Sequence, residues 1–95
     1  MFKEKIGEAA LYEGLAEEAV ELAHAALKIA RIIRGENPTP VSLEEARKNL
    51  VEEYSDIGVI ACELDLKLDQ EIMLAKGIRW YERLVSAEAK RYYSK

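Results

Sequence analysis

Apolar residues recur along the first half of this chain at alternating spacings of four and three, through Leu15, Ala19, Leu22, Ala26, Ile29 and Ile33. That period describes one face of a helix, and it predicts an amphipathic segment from about Tyr12 to Arg34. Gly7 and Gly14 each disfavour helix by roughly 1 kcal/mol relative to alanine, so a shorter helix with a bend is expected before Tyr12. The run from Gly35 to Pro40, GENPTP, stops the pattern, because glycine suits a helix C-terminal cap and two prolines bar continuation. Ser42 followed three residues later by Glu45 reads as a capping box for the next helix, with Glu44 and Glu45 in its positive first turn. Leu43, Leu50, Ile57 and Leu64 then recur every seven residues and carry that helix to about Leu66. A last helix is expected from about Asp69 to Tyr92, burying Ile72, Met73, Trp80, Tyr81, Leu84 and Val85. No alternating strand pattern bounded by hairpin turns is present. Three or four helices with short connections define an all-α, antiparallel helical bundle.

Two seven-residue columns depart from this simple picture. Glu18 falls in the column Leu11, Glu18, Ala25, Ile32, and Glu53 in the column Ala46, Glu53, Ile60. Each has a second acid three residues on, Glu21 and Asp56, so each helix projects two carboxylates from one face. An ionised carboxylate removed from water without a partner costs several kcal/mol (roughly, after relaxation), and like charges add repulsion. A divalent metal answers both difficulties, as would basic side chains, and metal is the better reading.

Composition narrows the setting. The 95 residues make one small domain, 1–95, which buries only around two-thirds of its unfolded surface, so self-association would help it. Hydrophobic residues at 49% and charged ones at 34% suit a globular helical protein. The net charge of −4 argues against duplex nucleic acid as a partner. No charged-then-apolar leader and no run near the ~20 apolar residues of a membrane span is present. The lone Cys62 cannot form an internal disulfide and reads as a small buried residue, which together points to a cytoplasmic protein.

At these acids the chain resembles the MazG-like, all-alpha nucleotide pyrophosphohydrolases, whose signature is EExxE on one helix and ExxD on the next. Here the motifs are Glu17, Glu18 and Glu21, then Glu53 and Asp56, and the flanking LAEEAVELAHAALK, ENPTPVSLEEA and NLVEEYSDIG are similar too, covering roughly Leu15 to Leu64. The resemblance implies a bundle completed as a homodimer or homotetramer. It implies Mg²⁺, with Mn²⁺ as an alternative, and cleavage of a nucleoside triphosphate to monophosphate and pyrophosphate. It places Glu18, Glu21, Glu53 and Asp56 as metal ligands and Glu17 as the residue that orients or deprotonates the attacking water.

No GxxxxGK[ST] loop is present, so phosphate must be met by metal and basic side chains. Lys28, two turns along from Glu21 in the column Gly14, Glu21, Lys28, is a candidate phosphate contact or a surface lysine. Lys76, Arg79 and Arg83 form one basic face on the last helix, similar to the basic stretch that follows ExxD in the family, and are either a phosphate clamp or a solvated face. Asn49 shares a column with Asp56 and would bond substrate, a metal-bound water or a structural partner. Trp80 would stack on a base or fill the core. Glu21 and His24 form an ExxH, which keeps open a carboxylate-bridged redox-metal bundle. A non-catalytic helical interaction protein is a third reading.

Overall fold

The computed structural model describes residues 2–36 and 40–93. The chain forms four helices, α1 (Phe2–Ile6), α2 (Glu8–Arg34), α3 (Leu43–Glu63) and α4 (Gln70–Tyr93), in an all-α architecture with no strand among the described residues. No helix among them is long and apolar enough to cross a membrane.

Most of the predicted boundaries follow from capping chemistry. Gly35 adopts the left-handed conformation, φ 67°, and its N–H and that of Glu36 return to the carbonyls of Ile32 and Arg31, closing α2. Ser42 caps α3, its hydroxyl accepting from the Glu45 N–H at 3.1 Å. Asp69 does the same for α4, accepting from the Ile72 N–H at 3.0 Å. Of the predicted break, residues 37–39 lie outside the described residues, as does Lys95. The second long helix ends at Glu63, short of Leu66, because Asp65 turns left-handed at φ 55° and the Leu66 N–H bonds back to the Ala61 carbonyl.

The N-terminal half differs from expectation in one respect. The break falls at Gly7, φ 88°, and α2 starts at Glu8 and runs straight through Gly14. A Cβ at Gly14 would lie 3.4 Å from Ile60 Cδ1, so this glycine faces α3. α1 lies against α2, and its Phe2 N–H donates to the Glu63 carboxylate at the end of α3, an acid placed where helix N-terminal N–H groups point.

α2 and α3 pack along their length as an antiparallel hairpin. The seam is built on the Glu18 and Glu53 columns: Leu11 and Ala46 are fully buried at 3% and 2% exposure, and Ala25, Ile32, Leu50, Ile57 and Ile60 are half-buried. Of the alternating stripe on α2, only Leu15, Leu22 and Ile29 turn into the seam, while Ala19, Ala26 and Ile33 remain exposed.

α4 makes no comparable packing with the other helices, and the chain extends over 60 × 40 × 19 Å. The residues expected to be its buried side are therefore exposed, Trp80 at 69% and Leu84 at 67%, with Ile72, Met73, Tyr81 and Val85 likewise open. Cys62 is exposed as well, lying on the outer side of α3 instead of in a core.

Gly14→Ala should raise the melting temperature, because alanine relieves roughly 0.5–1 kcal/mol of helix-interior entropy and its methyl meets Ile60 at an ordinary contact distance. Gly14→Leu should lower it by forcing the helices apart. Thermal denaturation followed by far-ultraviolet circular dichroism reads both.

Candidate metal centre

The seam brings together three carboxylates from the two helices. One oxygen each of Glu18, Glu53 and Asp56 lies within 4.8 Å of the others, Glu18 and Glu53 half-buried and Asp56 exposed. The convergence is a direct product of helical spacing. Glu18 and Glu53 occupy corresponding places in facing columns, and Asp56, one turn on from Glu53, rises on the same edge.

The Glu18 carboxyl is held above the ordinary carboxylate range. Desolvation in the seam is the largest cause, followed by the negative charges of Asp56, Glu53, Glu21 and Glu17. No cation among the described residues forms an ion pair with any of these acids. Three oxygens at this separation, two of them partly removed from water, are a donor set suited to a hard divalent cation, which leaves further positions for water and substrate oxygens.

Beside the triad runs a groove of about 240 Å³, walled by Glu21, His24 and Lys28 from α2 and by Asn49, Glu52 and Glu53 from α3, with Ala25 and Ala46 at its base. Glu53 belongs to both groove and triad. The structure thus brings Lys28 and Asn49 to the same opening as the acids. Lys28 is half-buried, whereas Asn49, Glu21 and His24 are exposed.

Other candidates stand apart. Glu21 lines the groove without joining the three converging oxygens. Glu17 is exposed, close enough for its charge to raise the Glu18 pKa but outside the triad. His24, the other half of the ExxH, is likewise a groove residue and not a member of the carboxylate group. Lys76, Arg79 and Arg83 are exposed on α4, which does not pack on the hairpin that carries the acids. Sequence reasoning overlooked Glu52. Its proximity was implicit in its position three residues after Asn49, one turn along the same edge of α3.

The hairpin has two unlike sides. The acids and the groove occupy one. On the other, Leu22, Tyr54, Ile57, Gly58, Ala61 and Leu66 border an apolar depression of about 410 Å³. Comparison of the chain with protein-family models, with curated proteins and with solved structures finds no match.

A native-state pKa raised above the unfolded value means that the folded chain binds its proton more tightly than the unfolded one. The metal-free fold then loses stability as pH rises from near the ordinary value of 4.5 through the Glu18 native pKa, and regains it on acidification. The metal-free melting temperature should fall, as pH rises above about 4.5, more steeply in the wild type than in Glu18→Gln, which removes the charge. Parallel pH profiles of the two proteins would remove Glu18 as the source.

Proposed function

We propose that the protein is a Mg²⁺-dependent nucleoside triphosphate pyrophosphohydrolase of the MazG-like type, acting in the cytoplasm. The observation that carries this reading is the meeting of Glu18, Glu53 and Asp56 within 4.8 Å across the α2–α3 seam. Isolated surface acids need no such convergence, and a half-buried pair with no ion pair to a cation among the described residues suits the positive charge of a bound ion. The motif resemblance, EExxE facing ExxD, supplies the reaction class.

In this reading Glu18, Glu53 and Asp56 hold the cation and Glu21 completes its surroundings from the groove wall. Mg²⁺, or Mn²⁺ in its place, supplies positive charge against the phosphate oxygens and the departing pyrophosphate. Lys28 brings an ammonium to the groove, where it meets a phosphate oxygen, and Asn49 offers an amide N–H to the same chain of phosphates. Glu17 accepts the proton of the attacking water. Water cleaves the anhydride bond between the α- and β-phosphates, leaving the nucleoside monophosphate and pyrophosphate. Lys76 and Arg79 enter as a phosphate clamp through assembly of the chain into a homodimer or homotetramer, since within one copy they lie on the helix that stands off the hairpin.

Incubation of the protein with Mg²⁺ and a panel of canonical and modified nucleoside triphosphates should release monophosphate and pyrophosphate in equal amounts. Glu53→Gln and Asp56→Asn should each lower that rate by more than about 100-fold while keeping full helicity by circular dichroism. A folded, Mg²⁺-binding protein that leaves every triphosphate intact would refute the assignment.

A further inference from the structure

Resting on the hydrolase reading, we infer that the base of the nucleotide lies in the apolar cleft between Phe2 and the last turns of α3, where Ser55 and Glu63 select a base that carries an exocyclic amino group.

The cleft, about 430 Å³, is lined by Phe2, Ser55, Gly58, Val59, Cys62 and Glu63. It follows directly on the carboxylate triad. Asn49, Asp56 and Glu63 form one seven-residue column of α3, with steps of about 10.5 Å set by the helix rise. Val59 fills the interval between the last two, three residues after Asp56 and four before Glu63. Lys28 and Asn49 lie on the turn side of the triad, and the cleft lies on its open-end side.

That order suits the substrate. Displacement at phosphorus is in line, with the attacking water and the leaving pyrophosphate on opposite sides. Pyrophosphate departs toward Lys28, and the polar groove there, about 240 Å³, is smaller than the roughly 300–1,000 Å³ of pockets that take a whole small molecule. The nucleoside is left to extend toward Glu63, and one step of the column matches its reach from the 5′-phosphate to the far edge of the base.

The lining fits a base in particular. Phe2 offers an aromatic face for stacking, and Gly58 keeps the floor open, since a Cβ there would meet nothing within 4 Å. The Ser55 hydroxyl donates to the Val51 carbonyl at 2.7 Å, so toward the cleft it presents lone pairs. The Glu63 carboxylate accepts from the Phe2 N–H, and a carboxylate accepts several donors at once. No strong side-chain donor stands among the described lining residues. Such a rim receives the amino group of cytosine or adenine, and sets lone pair against lone pair for the oxo group of uracil or hypoxanthine.

Calorimetry with Mg²⁺ and the α,β-imido analogues of cytidine, uridine, adenosine and inosine triphosphate reads base selection without turnover. The wild type should bind the amino member of each pair about 10-fold or more tightly than its oxo counterpart. Glu63→Gln, whose amide oxygen still accepts from the Phe2 N–H, should bring both ratios near one. Gly58→Leu, which fills the cleft, should weaken all four by about 10-fold or more while binding inorganic pyrophosphate with Mg²⁺ as the wild type does. Equal wild-type affinities within each pair, ratios unchanged in Glu63→Gln, full nucleotide affinity in Gly58→Leu, or failure of all four analogues to bind each overturns the base cleft. Should Glu63→Gln fail to fold, the wild-type ratios and Gly58→Leu decide. Hydrolysis is scored separately. Cleavage at one rate whatever the base keeps the enzyme and removes the cleft, whereas amino preference in binding without cleavage keeps the cleft and removes the enzyme.

Discussion

A helical hairpin is ordinarily held by apolar side chains meeting in its seam, and here the middle of that seam is occupied by carboxylates. Leu11 and Ala46 supply the fully buried contacts, but Glu18 and Glu53 stand in the same columns, half out of water and facing one another with Asp56 beside them. Desolvation and the negative charges of its neighbours both oppose the ionisation of Glu18. The rest of the hairpin must outweigh that opposition. It does so with the apolar layers on either side, the close approach at Gly14, and the tie from the Phe2 amide to Glu63 across the open end. Strain of this kind is expected where a ligand carries the compensating charge, and it accounts for the acids being held in place by packing above and below.

Much of this was readable in the sequence. The seven-residue columns through Glu18 and Glu53 identified the seam, and Ser42 and Gly35 marked helix ends by well-understood capping chemistry. Other features were ambiguous for physical reasons. α2 is rich in alanine, so two neighbouring edges of the helix look apolar. Periodicity alone could not tell that Ala25 turns inward while Ala19 and Ala26 face out. Gly14 carries a helix penalty, yet α2 continues through it, and the nearness of Ile60 to the space a side chain would fill there shows only in the tertiary structure. Asp65, an ordinary residue in sequence, ends α3 early by adopting a conformation that aspartate tolerates better than most. The apolar side of α4 is plain from its spacing, yet spacing shows which side needs cover and not whether the same chain provides it.

The site was legible to a similar degree. Spacing placed Glu18, Glu53 and Asp56 on facing edges, and the structure brings those three together, with Lys28 and Asn49 in the adjoining groove. Glu21 shares a motif with Glu18 but lines the groove and does not join the triad, although Asp56, at the same three-residue step from Glu53, does. Lys76 and Arg79 could not be placed from sequence, since their distance from the acids depends on the course of α4 and not on any local pattern.

The topology of the hairpin also bears on how the chain folds. Helices joined by a short connection can assemble like a zipper, beginning with the layers next to Gly35 and Ser42 and closing toward the open end. Each doubling of the loop to be closed adds only about 0.6 kcal/mol of entropic cost, so successive layers resist closure little more than the first. Glu18 and Glu53 lie midway along this path. The repelling carboxylates therefore meet after the turn-proximal layers are in place and before Gly14 reaches Ile60, so the charged layer closes on a hairpin whose register the apolar layers next to the turn have already set.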